Sequence, residues 1–251
     1  MTDRHMSSLY ESSLDAISAR VLEMGGLVEV QVSRSVQALA DLKGELASEV
    51  LEIEARVNQM ELSIDQDLSS IIARHQPTAR DLRLLIAVSK AVANLERVGD
   101  EAARIARTTH RLLSVGLNTH LRRAMIDLSV EADLASASLR QALDAFARMD
   151  ANLALMVIEG DPAIDREFEG VLRMLAAYMV EDPRNISNSI DLIFVAKAIE
   201  RIGDHAKNLA KQVIYVVKGE DVRHTSLATI QSKTFFKPSM PTGALINHGT
   251  T

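Results

Sequence analysis

Apolar residues recur every three or four positions along most of the chain, with polar residues between them. This spacing places the apolar side chains on one face of a helix, so the pattern predicts long amphipathic helices. The clearest run comprises Leu14, Ile17, Val21, Met24, Val28, Val32, Val36, Leu39 and Leu42. The period breaks near Gly44, His75-Gln76-Pro77, Gly116-Leu117-Asn118, Asp150, Asp182-Pro183 and Gly219. These breaks bound six predicted helices of roughly 25–35 residues, because Gly and Pro end helices.

The second half of the chain repeats the first. Residues 94–106 read NLERVGDEAARIA and residues 198–210 read AIERIGDHAKNLA, with the shared acids 104 positions apart. Gln37-Ala38-Leu39 matches Gln141-Ala142-Leu143 at the same offset, whereas Ile64-Asp65 matches Ile164-Asp165 at an offset of 100. A fixed internal period of this kind indicates a duplicated structural unit. We therefore predict an all-α fold of two tandem three-helix bundles, residues 7–116 and 117–218.

Residues 219–251 break the pattern, since they hold two prolines, several Ser and Thr residues and no helical period. Such a composition predicts a flexible tail. Phe235-Phe236 within it is an alternative docking element, although the plain tail is favoured.

Composition agrees with a helical protein and excludes several classes of function. Gly, Pro and aromatic residues are scarce for a sheet-rich chain of 251 residues. The absence of Cys excludes disulfides, thiol catalysis and Cys-ligated metals. The polar N-terminus and the lack of a long apolar run predict neither a secretory signal nor a membrane span. The formal net charge of −6 argues against nucleic acid as a partner.

Acidic residues occur in pairs four positions apart on the predicted second and third helices of both repeats. Two like charges at this spacing share one helix face and repel each other, and on a buried seam they need a cation, a hydrogen-bond network or a proton. Glu96 and Glu200 occupy seam positions of the apolar pattern, and the next seam position in each helix is a glycine, where another helix could approach closely. An all-oxygen set suits Mg²⁺, Mn²⁺, Ca²⁺ or iron and tolerates Zn²⁺. The candidate metal ligands are Glu61, Asp65, Glu96, Asp100, Asp161, Asp165, Glu200 and Asp204.

Simpler interpretations of these acids stay open. The acids can pair with the adjacent Arg97 and Arg201, or face water. Asp161 precedes Pro162, which also fits a helix N-cap, and the sequence favours neither role. His205 directly follows Asp204 and points about 100° away on a helix, so we expect it outside the ligand set. A ferritin-like di-iron site is excluded because no Glu has a His three residues later.

Three segments resemble the PhoU family of bacterial regulators of phosphate uptake. They read RHQPTARDLRLLIAVSKAVANLERVGDEAARIA (74–106), AIERIGDHAKNLA (198–210) and VKGEDVRH (217–224), and the resemblance covers about residues 1–224. It implies two three-helix bundles, a homodimer and metal clusters on the E/D-x-x-x-D motifs, which map onto the eight acids above. It also implies a cytoplasmic, non-enzymatic adaptor, peripheral to the inner membrane only through partners. Those partners would be a phosphate ABC transporter ATPase and a phosphate-sensing histidine kinase, with the starvation response repressed when phosphate is plentiful.

Two other function classes remain as alternatives. A metal-dependent phosphatase or other hydrolase could use paired cations to activate water, and a plain helical scaffold would leave the acids solvated. Direct phosphate sensing is not supported, because the chain has no glycine-rich loop at a helix start. Basic residues near the bends are expected to pair locally rather than with a partner; they are Arg74, Arg80, Arg83 and Arg184. The residues alone leave the metal open among Fe, Zn, Mn and Mg.

Overall fold

The computed structural model describes residues 2–115, 119–223 and 225–235, and within them the chain is all-α. The helices are α1 (Thr2–Asp41), α2 (Gly44–His75), α3 (Ala79–Val115), α4 (Thr119–Arg148), α5 (Ala151–Glu181), α6 (Ile186–Lys218) and α7 (Leu227–Phe235). A short 3₁₀ helix, Pro183–Asn185, joins α5 to α6. The predicted bend at Gly116-Leu117-Asn118 lies outside the described residues.

Local chemistry sets the helix ends. The Asp150 carboxylate accepts hydrogen bonds from the backbone N–H groups of Asn152 and Leu153, which caps α5. Asp182 caps the 3₁₀ turn in the same way through Arg184. Gly219 ends α6 at φ 76°, a left-handed conformation that glycine adopts without steric cost.

The first six helices form two three-helix bundles. Helices α1, α2 and α3 contact one another, as do α4, α5 and α6, and the bundles meet where α3 lies against α6 and α1 against α4. The apolar stripes predicted from the sequence fill this continuous core, including Val21, Met24 and Val28, each with no exposed surface. The predicted fold of two three-helix bundles is therefore confirmed. No helix in the described ranges is both long and apolar enough to cross a membrane.

The beginning of the predicted tail is ordered, which corrects part of that prediction. Val222 and Ile230 are buried at 1% exposure each, and α7 packs against α5. Gln231 donates a hydrogen bond of 2.6 Å to the Glu159 carboxylate on α5. A nine-residue helix is not stable alone, so α7 depends on this contact with α5. Because the helix is so short, its sequence shows little apolar periodicity. Phe236 and the rest of the tail lie outside the described residues.

We expect Phe146→Ala to lower the free energy of unfolding by about 3–5 kcal/mol. Phe146 is among the largest fully buried side chains, so the substitution leaves a cavity in the second bundle. Phe194→Ala is the matched control, because Phe194 is half exposed and its removal should change stability by only about 0.5 kcal/mol. Urea unfolding followed by circular dichroism measures both, and equal losses would contradict the assigned core.

Candidate metal-binding faces

The first repeat gathers acids from α2 and α3 on one surface, which we call the first acidic face: Glu54, Glu61, Asp65, Glu96 and Asp100. Burial, together with Asp65 and Asp100, raises the pKa of Glu61 above its ordinary value. Burial and then Asp100 do the same for the pKa of Glu96, with smaller contributions from Glu61 and Glu54. The structure thus brings together all four acids predicted for this repeat. Arg97 acts in the opposite direction on the pKa of Glu61 and Glu96 but does not cancel the increase.

Glu54 lies at the buried inner end of this face and was missed from the sequence. Its carboxylate accepts a 2.6 Å hydrogen bond from the amide of Gln31, which also donates to the Gly99 carbonyl. The pKa of Glu54 is raised by burial and by Asp100. A Cβ at Gly99 would lie 3.0 Å from both Glu54 Oε2 and Gln31 Oε1, so glycine is needed for this close approach. The predicted role of Gly99 as a contact point between helices is confirmed.

The second repeat arranges its acids differently, around a lysine. Lys207 Nζ on α6 donates to Asp161 Oδ2 at 2.6 Å and to Asp204 Oδ1 at 2.8 Å. Although burial works against it, these hydrogen bonds raise the pKa of Lys207, so the amine is charged at neutral pH. Asp165 contributes electrostatically to Asp161 but is itself exposed. We call Asp161, Asp165, Glu200 and Asp204 the second acidic face.

Asp161 is not a helix cap. Helix α5 runs unbroken from Ala151 to Glu181 with Pro162 inside it, and its N-cap is Asp150. Asp161 therefore lies in the middle of the helix, 8% exposed. The cap interpretation is wrong because α5 begins at Ala151 and continues through Asp161 and Pro162 without a break.

Glu200 lies beside Glu131 of α4. Glu131 has no exposed surface, and neither of its carboxyl oxygens has a hydrogen-bond partner among the described residues. Burial, together with the nearby Glu200 and Glu167, raises the pKa of Glu131 to about 8, so it is protonated at neutral pH. Lys197 holds the other side of Glu200 at 2.6 Å.

The two arginines of the repeated motif have different partners. Arg97 forms loose ion pairs of 3.4 Å with Glu96 and 3.3 Å with Asp100, and it is largely exposed. Arg201 instead crosses to the other bundle and pairs with buried Glu101 at 2.9 Å. Pairing with the adjacent arginine therefore accounts for part of the first face and for none of the second.

His205 belongs to the contact between bundles. Its Nδ1 lies 3.0 Å from the Asn94 amide oxygen on α3, and burial lowers its pKa. Nδ1 is the donor in this bond, which fixes the ring against the neighbouring bundle.

The residues of α2 and α5 that occupy equivalent places in the two repeats differ from those matched in the sequence. The turns before these helices, at Leu42 and Met149, lie 107 positions apart. The buried residues follow the same offset: Val50 with Val157, Glu54 with Asp161, Val57 with Ile164, Ile64 with Val171, and Leu68 with Leu175. Glu54 is thus the structural counterpart of Asp161. The sequence match at an offset of 100 misplaced α5 by seven residues, two helical turns that keep the same face inward.

The donor chemistry of the first acidic face fits a hard cation better than that of the second. Five carboxylates face a single exposed arginine, with the unpartnered Gln31 Oε1 buried beside them. As the side chains stand, no three acidic or histidine groups of the described residues converge in a metal-holding arrangement. Cation binding at the first face would therefore require the carboxylates of exposed Asp65 and half-buried Asp100 to rotate inward. The aspartates of the second face already hold a cation, the Lys207 ammonium.

Comparison with known proteins connects this duplicated architecture to a family. The profile of the PhoU domain matches residues 21–109 and 128–213, once in each bundle. A Pseudomonas aeruginosa protein named phosphate-specific transport system accessory protein PhoU homolog is 44% identical over 229 residues, 91% of this chain and 93% of that protein. The Escherichia coli (strain K12) phosphate-specific transport system accessory protein PhoU is 40% identical, and the match covers 88% of this chain and 90% of that protein. The chain belongs to the PhoU family.

Solved structures of PhoU proteins share the fold. The crystal structure of PhoU from Pseudomonas aeruginosa aligns with a TM-score of 0.81 at 44% identity, covering 84% of this chain and all of that one. The regulatory protein PhoU from Streptococcus pneumoniae aligns with a TM-score of 0.77 at 24% identity, covering 85% and 99% of the two chains. At that identity the second likeness concerns the fold alone.

We expect Glu131→Gln to make this PhoU-family chain more stable than the wild type at pH 8 but not at pH 5. The unfolded chain releases the Glu131 proton near pH 4.5 and the native state near pH 8, so native stability is lost as the pH rises through that window. The relative gain should be on the order of 1–4 kcal/mol between pH 5 and pH 8.

Urea unfolding in EDTA at several pH values measures this difference, with the exposed Glu52→Gln as the control. A gain that is the same at every pH would contradict the assigned titration of Glu131.

Proposed function

We propose that this protein is a non-enzymatic accessory regulator of the phosphate-specific transport system. It links the ATPase of a phosphate ABC transporter to a phosphate-sensing histidine kinase and represses the starvation response when phosphate is plentiful. The observation that carries the proposal is identity of 40–46% to proteins named for this system, over about nine tenths of the chain and both bundles. The protein acts in the cytoplasm as a homodimer and reaches the membrane only through its partners.

The architecture supports an adaptor. Six long helices packed on one continuous core form a stiff scaffold, and the ion pairs between α3 and α6 fix the bundles relative to each other. Arg111 contacts Asp191 and Arg201 contacts Glu101, so residues late in α3 meet residues early in α6 and the helices run antiparallel. A stiff body of this kind can present separate surfaces to two partners.

We infer that the first acidic face binds a divalent or iron cation. Glu54, Glu61, Glu96 and Asp100 are near one another on facing helices, and burial, together with the neighbouring carboxylates, raises the pKa of the three glutamates. A cation would relieve this repulsion and supply the positive charge that Arg97 provides only weakly from solvent. The oxygen ligands favour Mn²⁺, Mg²⁺ or iron and tolerate Zn²⁺.

Mn²⁺ should raise the melting temperature of the wild type, and Glu96→Gln/Asp100→Asn should reduce its affinity at least tenfold. The variant removes two ligand charges from the first acidic face while keeping the side-chain shapes. Isothermal titration and thermal melts with Mn²⁺ measure affinity and stabilisation.

The matched control is Glu45→Gln/Glu49→Gln, another i,i+4 acidic pair of α2 that lies away from the face. Equal Mn²⁺ affinity in all three proteins would disprove the site. Phosphate-ester turnover that requires both Mn²⁺ and Glu96 would favour the hydrolase alternative.

Deletion of the gene should switch phosphate-starvation genes on in phosphate-rich medium, because the repressing adaptor is gone. A starvation-responsive reporter measures this, and complementation with the wild type should restore repression. Co-purification of the protein with the transporter ATPase and the kinase tests the partners. A reporter that stays silent in the deletion strain would rule out the regulatory role.

Complementation with Glu96→Gln/Asp100→Asn then tells whether the cation regulates or only stabilises the protein. Failure to repress despite normal protein abundance assigns it a regulatory part, and normal repression assigns it a structural one.

A further inference from the structure

Two lysines distinguish the second acidic face from the first. Lys207 bridges Asp161 and Asp204 at 2.6 and 2.8 Å, and Lys197 holds Glu200 at 2.6 Å. Lys207 is only 21% exposed, so its ammonium is largely withdrawn from water and directed at the two aspartates. These contacts neutralise three of the four acids of the face from within the chain.

The first repeat has alanine at both of these positions. At the motif offset of 104, Lys197 corresponds to Ala93 and Lys207 to Ala103. Three acids are retained, since Asp204 corresponds to Asp100, Glu200 to Glu96 and Asp161 to Glu54. The offset of 107 places Phe168 and Leu172 at the positions of Glu61 and Asp65. Glu54 meets the neutral Gln31 amide where Asp161 meets an ammonium. The duplicated units therefore share these three carboxylates and differ in the internal cation.

We propose that the Lys207 ammonium occupies in the second repeat the place that a divalent cation takes in the first, so the chain has one cation-binding face rather than two. The proposal rests on the cation site proposed above. It assigns Asp161 and Asp204 to an ion pair, and it leaves metal binding to the first acidic face.

Charge and tethering explain why an external cation does not displace the lysine. Lys207 lies three residues after Asp204 on α6, so its ammonium is held beside the carboxylates at high effective concentration. Expelling it would cost both short, partly buried hydrogen bonds, which are strong because donor and acceptor are charged. The position that corresponds to Lys207 in the first repeat is Ala103, which is fully buried and uncharged.

The test is the number of Mn²⁺ ions bound per chain, measured by titration with electron paramagnetic resonance. Lys197→Ala/Lys207→Ala gives these two positions the residues of the first repeat, and the number of ions should rise above that of the wild type. Lys43→Ala/Lys218→Ala is the control, since it removes the same two charges from exposed positions and should leave the number unchanged. In the Glu96→Gln/Asp100→Asn background, Mn²⁺ should bind only when the two lysines are also replaced.

The reciprocal variant Ala103→Lys should abolish Mn²⁺ binding at the first face, and circular dichroism confirms that it folds. A wild type that binds Mn²⁺, with an unchanged number of ions in Lys197→Ala/Lys207→Ala, overturns the lysine assignment alone. A wild type whose Mn²⁺ binding survives Glu96→Gln/Asp100→Asn overturns it as well. A wild type that binds no Mn²⁺ overturns the cation site itself and, with it, this proposal.

Discussion

The main constraint on this structure is that carboxylates buried between packed helices must be neutralised or hydrogen-bonded. Each bundle places acids from neighbouring helices close together, where burial and mutual repulsion both disfavour ionisation. An apolar core alone would not tolerate them. Every acid in such a place needs a hydrogen-bond donor, an opposite charge, a proton or an external cation. The fold of this PhoU-family chain uses different members of that set at different positions.

Because the two bundles are repeats of one unit, the ways in which they neutralise their buried acids can be compared directly. The first repeat uses the Gln31 amide for Glu54 and leaves the remaining acids with one exposed arginine. The second uses Lys207, Lys197 and a protonated Glu131, a position that is Leu27 at the equivalent point of α1. Arg201 forms its ion pair with Glu101 of the other bundle and so joins the bundles. One ancestral surface has thus become a charged face in one repeat and an internally neutralised contact region in the other.

The sequence predicted the helices, the duplication and the acid pairs well, because each leaves a local periodic signal. It missed Glu54, which has no acidic partner four positions away, and Glu131, whose pair with Asp127 is not repeated in the first bundle because the equivalent of Glu131 there is Leu27. It also placed α5 seven residues out of register, because Ile-Asp recurs by coincidence and two helical turns preserve the inward face. The order of α7 was missed for another reason: its stability comes from α5, not from its own nine residues.

The sequence by itself determined the fold class, the number of long helices and the presence of acids on their seams. The reason is that the buried face of a helix requires apolar residues every three or four positions, which the sequence shows directly. Only the tertiary structure decided which charges meet. Lys207 reaches Asp161 from a residue 46 positions away, and Arg201 reaches Glu101 across 100. Such pairings depend on the relative register of packed helices. That register is set by side-chain fit in three dimensions, and no local pattern encodes it.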